Sequence, residues 1–258
     1  MPLWSEKILQ KAREANIVIN RKKIDIGTNI SFAGHQFTEN GISPSQERLN
    51  AIKNFKTPRN ISEVRGFLGL VVQIGAFIPN LAELTDEIRQ LLKKNVQFKW
   101  TPVHQATFDQ IKEVLTTSTH LIKPFNPALR TILITDASRV GLGYLLMQEE
   151  KDGSHRLIQC GSRALTDCEK RYSVTELELL GAVYACKKTA FFLTGLQDTW
   201  TLVTDHRALL GLFNKNLDQI DNRRLSRMRE KMLAFNFNVE YITGKKNVMS
   251  DALSRNPN

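Results

Sequence analysis

Residues 131–150, TILITDASRVGLGYLLMQEE, hold the strongest signal for the fold of this chain. They include two segments rich in apolar and β-branched residues, 131–138 and 141–150, joined by a turn too short to hold a helix. Residues 155–162 follow the Lys-Asp-Gly turn at 151–153 and have the same character. The pattern therefore predicts three consecutive antiparallel strands.

Helices and strands alternate after this meander. The predicted elements are a helix over 174–194, a strand over 200–205, helices over 206–213 and 218–234, a strand over 237–243 and a short helix over 247–255. The order β-β-β-α-β-α-α-β-α predicts an α/β fold in which helices pack on a mixed five-stranded sheet.

The first part of the chain has a different texture. We predict helices over 5–20, from an N-cap at Ser45 to about Phe55, and over 59–78, 81–94 and 105–117, with a small hairpin in 23–38. The sequence is thus divided into 1–42 with the hairpin, a mainly helical region 43–124, and the α/β region 125–258.

The composition argues against a membrane-spanning or secreted protein. Apolar residues make up 41% and charged residues 24% of the 258 residues, which is typical of a globular chain. The formal net charge of +10 favours a polyanionic partner such as nucleic acid. With no long apolar run and no signal peptide, we expect an intracellular protein, cytoplasmic or nuclear, with no membrane contact.

Acidic residues stand at the ends of the predicted elements. Asp136 and Asp205 each end an apolar strand, Glu178 lies in the first turns of the long helix, and Asp251 lies in the last helix. A single aspartate after a strand is usually a turn or capping residue. Several acids brought together at a sheet edge, however, need a cation to stay ionised, and hard ions such as Mg²⁺ or Mn²⁺ prefer such oxygen ligands.

Two glutamates of the long helix compete for a place in this site. Glu176 and Glu178 point about 200° apart on a helix, so only one can face the other acids. Glu178 shares a face with the small residues Gly181, Ala182 and Ala185, which would allow close packing on a sheet. We favour Glu178 and keep Glu176 as the alternative.

Several motifs carry a resemblance to a known family. In the α/β region they are Thr-Asp-Ala-Ser at 135–138, Tyr-Ser-Val-Thr-Glu-Leu-Glu at 172–178, Thr-Asp-His-Arg at 204–207 and Gly-Lys-Lys-Asn-Val-Met-Ser-Asp at 244–251; earlier ones are Gly-Ile-Ser-Pro at 41–44 and Arg-Gly-Phe-Leu-Gly-Leu at 65–70. The first set resembles the ribonuclease H of gypsy-type retrotransposon reverse transcriptases. The second set resembles the end of the palm and the thumb of the same enzymes.

The resemblance implies an endonuclease that hydrolyses the RNA strand of an RNA–DNA hybrid with two Mg²⁺ ions, or Mn²⁺ in their place. By this resemblance Asp136 bridges the two ions, Glu178 and Asp205 hold the ion on the leaving-group side, and Asp251 holds the ion that activates water. Many ribonucleases H have a histidine in the loop before the last acid, but residues 241–247 contain none.

Basic residues are candidates for contact with the nucleic acid backbone. Arg223 and Arg227 share one face of a predicted helix, where a merely solvated face is the alternative. The other candidates near the acids are Arg163, Arg171, Lys245 and Lys246.

The chain contains no Asp-Asp pair of the kind that a polymerase palm uses. We therefore expect no polymerase activity from it alone, and the resemblance implies linkage to a palm and fingers in a longer polyprotein, within a virus-like particle if an element encodes it. The competing interpretation is a non-catalytic nucleic-acid-binding remnant or domesticated module.

Overall fold

The computed structural model describes residues 3–20, 24–78, 81–94, 96–117 and 121–243. Its C-terminal part is built on a mixed sheet whose strands are β4 (Thr131–Ala137), β5 (Gly141–Glu149), β6 (His155–Ala164), β7 (Trp200–Thr204) and β8 (Phe237–Tyr241). The strand order is β6-β5-β4-β7-β8. The first three strands pair antiparallel, and β4, β7 and β8 run parallel.

This sheet confirms the predicted α/β fold class, which is ribonuclease H-like. Three helices accompany it, namely α7 (Val174–Leu193), α8 (Ala208–Phe213) and α9 (Arg223–Glu230). Ala182 and Ala185 of α7 are fully buried against Leu133 and Leu202 of the central strands. Their small side chains let the helix approach the sheet closely, so residues on the same helix face lie directly over β4.

The N-terminal part is mainly helical. Its elements are α1 (Leu3–Glu14), β1 (Ile30–Phe32), β2 (His35–Thr38), β3 (Gly41–Pro44), α2 (Gln46–Lys53), α3 (Ile61–Gln73), α4 (Leu81–Leu84), α5 (Asp86–Gln90) and α6 (Pro102–Thr117). One buried cluster that includes Ile52, Phe67, Phe108 and Ile111 holds the helices α2, α3 and α6 together.

Local signals place the starts of these helices. The Ser45 side chain accepts the N–H of Arg48 at the start of α2, as the sequence predicted. Asn60 caps α3 by accepting the N–H of Glu63, while Glu63 in return accepts the N–H of Arg59. Ser173 and Glu176 form a complete capping box at the start of α7.

Several predicted elements were wrong in detail; among them, the helix predicted over 59–78 ends at Gln73, and the helix predicted over 218–234 is shortened to Arg223–Glu230. Residues 81–94 form two short helices that are separated at Thr85, where the backbone has a φ of −99° and a ψ of −2°. The first helix ends at Glu14, where Asn16 adopts a left-handed φ of 53°. The hairpin of residues 23–38 is a three-stranded sheet that extends through β3.

The two parts of the chain contact each other directly. Ile122, just before the α/β part, pairs with Ile42 of β3 in an isolated bridge and packs against buried clusters of both parts. The N–H of Ala82 in α4 donates to Ser162 Oγ of β6 at 2.9 Å. Helix α4 therefore lies against the edge of the five-stranded sheet. Among the described residues, no helix has both the length and the apolar character needed to cross a bilayer.

Candidate metal centre

The parallel pairing of β4 and β7 brings two aspartates to one edge of the sheet. Ile134 is the register partner of Val203, so Asp136 and Asp205 lie at the same level two residues further on. Neighbouring strands are about 4.8 Å apart, which sets the spacing between these two residues. The carboxyl ends of the two buried strands thus supply two of the three acids of the described cluster.

Helix α7 supplies the third acid. A methyl group built on Gly181 would lie 3.7 Å from Ala137 Cβ and 3.7 Å from the carbonyl oxygen of Asp136, so the helix rests on the end of β4. Glu178 lies one turn earlier and points to the same place. One ligand oxygen from each of Asp136, Glu178 and Asp205 lies within 4.8 Å of the other two.

The environment of Glu178 opposes its negative charge. The residue is only 5% exposed, and its Oε2 atom is buried without a hydrogen-bond partner in the described part of the chain. Burial is the largest cause that raises its pKa to about 8, followed by the charges of Asp205 and Asp136. Among the described residues, no cation offsets the charge of this carboxylate.

Asp136 is perturbed in the same direction. Burial raises its pKa most, and the charges of Asp205 and Glu83 add to that effect. Glu83 belongs to α4 in the N-terminal part and was not among the residues singled out from the sequence. No sequence signal could have found it, because only the docking of α4 on the sheet edge places Glu83 near Asp136.

Glu176 occupies a different environment on the same helix. Its carboxylate accepts hydrogen bonds from the backbone N–H of Ser173 at 2.8 Å, from Asn222 Nδ2 at 3.2 Å and from Arg224 at 2.7 Å. Although burial works against ionisation, the hydrogen bonds together hold its pKa below the ordinary value. The structure therefore brings Glu178, and not Glu176, to Asp136 and Asp205.

Asp251, Lys245 and Lys246 lie outside the described residues. Of the remaining basic candidates, Arg163 forms a bidentate pair with Glu169 at 2.7 and 2.8 Å, and its guanidinium lies over the Tyr184 ring. This pair uses the terminal N–H groups of Arg163, so it must open before Arg163 could hold a phosphate. Arg171, Arg223 and Arg227 are exposed.

The histidine after Asp205 has a local partner. His206 Nε2 lies 2.9 Å from Thr175 Oγ1, at the start of α7. The contact ties the loop after β7 to the first turn of the helix that carries Glu178. His206 therefore helps to hold two of the three acid-bearing elements together.

Comparisons with known proteins agree with this fold. Residues 100–200 match the family model described as the RNase H-like domain found in reverse transcriptase. The chain is 33% identical over 249 residues to the Tf2-3 transposon polyprotein of Schizosaccharomyces pombe, and equally to the Tf2-4 polyprotein. Each alignment covers 96% of this chain and 18% of the polyprotein, so the chain spans less than a fifth of these relatives.

Solved structures give the same fold at lower identity. A foamy viral protease-reverse transcriptase in complex with RNA/DNA hybrid matches 95% of this chain and 34% of that one, with a TM-score of 0.73 and 18% identity. The same kind of protein in complex with dsDNA matches 94% of this chain and 52% of that one, with a TM-score of 0.70. The chain thus carries a ribonuclease H-like domain of the kind found in reverse transcriptases, within a region similar to part of retrotransposon polyproteins.

Proposed function

We propose that this chain is a metal-dependent ribonuclease H that hydrolyses the RNA strand of an RNA–DNA hybrid, as part of a gypsy-type retrotransposon reverse transcriptase. The observation that carries the proposal is the convergence of Asp136, Glu178 and Asp205 from two parallel strands and one helix. The reverse-transcriptase family model supports the reaction class, and the excess of basic residues supports a nucleic acid partner.

The acid cluster fits divalent cations. Glu178 has a buried oxygen without a hydrogen-bond partner among the described residues, and its neighbours at the cluster are other acids. Carboxylate oxygens are the ligands that Mg²⁺ prefers and Mn²⁺ accepts. We infer that Asp136, Glu178 and Asp205 hold these ions, with Asp251 as a fourth ligand. Two bound ions would supply charge stabilisation for the attacking and leaving oxygens of a phosphodiester.

The chain's own residues have separate tasks in this proposal. The carboxylates of the cluster position the ions at the sheet edge, where a backbone phosphate can approach. The short parallel strands and the close packing at Gly181 keep the three acids in place. The exposed Arg223 and Arg227, together with Arg171, Lys245 and Lys246, are candidates for contact with phosphates of the hybrid, whereas Arg163 must first leave Glu169.

A cleavage assay tests the proposal. A labelled RNA–DNA hybrid is incubated with the parent chain or Asp205→Asn, with Mg²⁺ or Mn²⁺ and with a chelator as the control. We expect the parent to cut the RNA strand only when a metal ion is present, and Asp205→Asn to lose this activity. A parent that binds the hybrid but does not cut it with either metal would instead support the non-catalytic binding module.

A further inference from the structure

A cavity of about 460 Å³ lies beside the edge strand β6, between the N-terminal helices and α7. We call it the interface cleft. One wall comes from the N-terminal part and includes Leu81 and Arg89, while the other comes from the sheet and α7 and includes Ser162, Tyr184 and Lys188. The cleft is formed where residues of the N-terminal part, from Val72 to Arg89, lie against β6 and α7.

The lining of the interface cleft is basic. It includes Arg89, Arg163 and Lys188, and none of its lining residues is acidic. Arg163 is already paired with Glu169. Arg89 and Lys188, by contrast, form no ion pair with any acid in the described ranges of the chain. Two cations are thus left to attract an anion.

The structure also prepares these groups for a ligand. Arg89 Nε donates to Thr85 Oγ1 at 2.8 Å, which fixes the guanidinium while its terminal N–H groups remain available. The Lys188 ammonium lies 5.9 Å from the centre of the Tyr184 ring. Tyr144, which lines the cleft, accepts a hydrogen bond from Gln159 Nε2 at 2.7 Å, a bond that does not use its own phenolic proton. Positive charge and O–H donors together are suited to a phosphate oxygen.

The interface cleft lies close to the acid cluster along the sheet. Asp136 is paired with Gly143, and Gly143 is paired with Ser162 of the cleft wall. Two strand spacings separate these residues, or about 10 Å. A nucleic acid strand rises about 3.4 Å per base pair, so a duplex bound at the acids would have other phosphates within this reach.

We propose that the interface cleft binds a backbone phosphate of the nucleic acid through Arg89 and Lys188. This inference rests on the proposed function for the identity of the ligand, but the anion site itself does not depend on cleavage. It assigns a role to the contact between the two parts of the chain, since neither part contains both cations.

Binding of a labelled RNA–DNA hybrid to the full chain, measured by fluorescence anisotropy without divalent metal at several salt concentrations, tests the proposal. We expect Arg89→Gln and Lys188→Gln each to weaken binding roughly 3- to 10-fold and to lower the salt dependence by about one phosphate contact. Lys187→Gln is the matched control, because Lys187 is exposed and adjacent on α7 but does not line the cleft. Equal losses in Lys187→Gln and Lys188→Gln would overturn the proposal.

A second measurement separates the anion site from the substrate. Inorganic phosphate should raise the thermal unfolding temperature of the parent and of Lys187→Gln, and should do so less for Arg89→Gln and Lys188→Gln. Arg89→Gln and Lys188→Gln could weaken the stabilisation by phosphate and yet leave hybrid binding unchanged. That result would mean that the cleft binds free phosphate, and it would overturn the role of the cleft in backbone binding. If the parent cuts no hybrid, the proposed function fails, but the phosphate measurement still decides whether the cleft binds an anion.

Discussion

The two sides of the first turns of α7 carry the same residue type in opposite electrostatic states. Glu176 faces α9 and is 6% exposed, and Glu178 faces β4 and β7 and is 5% exposed. Hydrogen bonds from Ser173, Asn222 and Arg224 offset burial and hold the pKa of Glu176 below its ordinary value. Burial among two other acids raises the pKa of Glu178 to about 8. Two carboxylates with nearly the same exposed fraction therefore differ: hydrogen bonds stabilise the charge of Glu176, whereas Glu178 is left in need of a cation.

The largest expected effect comes from removing the charge of Glu178. Glu178→Gln should lower hybrid cleavage at least about 100-fold, which is the size expected for the loss of one charge-stabilising group in a reaction centre. Glu176→Gln should change cleavage only a few-fold. The rate of RNA-strand cleavage under saturating Mg²⁺ measures both, and a reversed ranking would show that the wrong glutamate had been assigned.

The pH dependence of stability should separate the same two residues. The pKa of Glu178 is about 8 in the folded chain, against an ordinary value of 4.5. Between pH 4.5 and 8 the folded state therefore binds more protons than the unfolded state. The contribution of Glu178 to the free energy of unfolding is therefore fully present below about pH 4.5 and is lost as pH rises towards 8, by about 5 kcal/mol in metal-free protein. Urea unfolding at several pH values measures this loss. Glu178→Gln should remove most of the pH dependence of the free energy of unfolding and leave the smaller part that is due to Asp136. An unchanged pH dependence in this variant would contradict the prediction.

Glu176 should instead matter for folding. Glu176→Ala removes the reciprocal half of the capping box and leaves Arg224 and Asn222 without their partner. Because Arg224 is half exposed, the expected loss in the free energy of unfolding is only about 1–3 kcal/mol. Urea unfolding at neutral pH measures it, with the exposed Glu230→Ala of α9 as a control expected to change stability by less than about 0.5 kcal/mol.

The smallest effects concern the outward face of α9. Arg223 and Arg227 are exposed, whereas Arg224 of the same helix is held by Glu176. Arg223→Gln and Arg227→Gln should leave stability unchanged and each lower the salt dependence of hybrid binding by at most about one phosphate contact. An unaltered salt dependence in both variants would identify this face as merely solvated.

Much of the α/β part could be predicted because its signals are local. The apolar runs around Ile134 and Val203 and the turn at 151–153 are each read within a few residues. The choice of Glu178 followed from helical periodicity and the small residues after it. The break at Thr85 could not be read in this way, because threonine is tolerated inside helices: Thr189 lies within the unbroken α7 and makes the same kind of hydroxyl bond, to Ala185.

From its sequence alone, this protein's order of elements, its strand-end aspartates and the helix face of Glu178 could be determined, since periodicity and capping act over one or two turns. Three contacts follow only from the packing of distant elements. Arg224 pairs with Glu176, and Glu83 lies near Asp136. Arg89 and Lys188 line one cleft. Charges and cavities depend on which distant groups meet through space, and that is set by the packing of α4, α7 and α9 rather than by any local pattern.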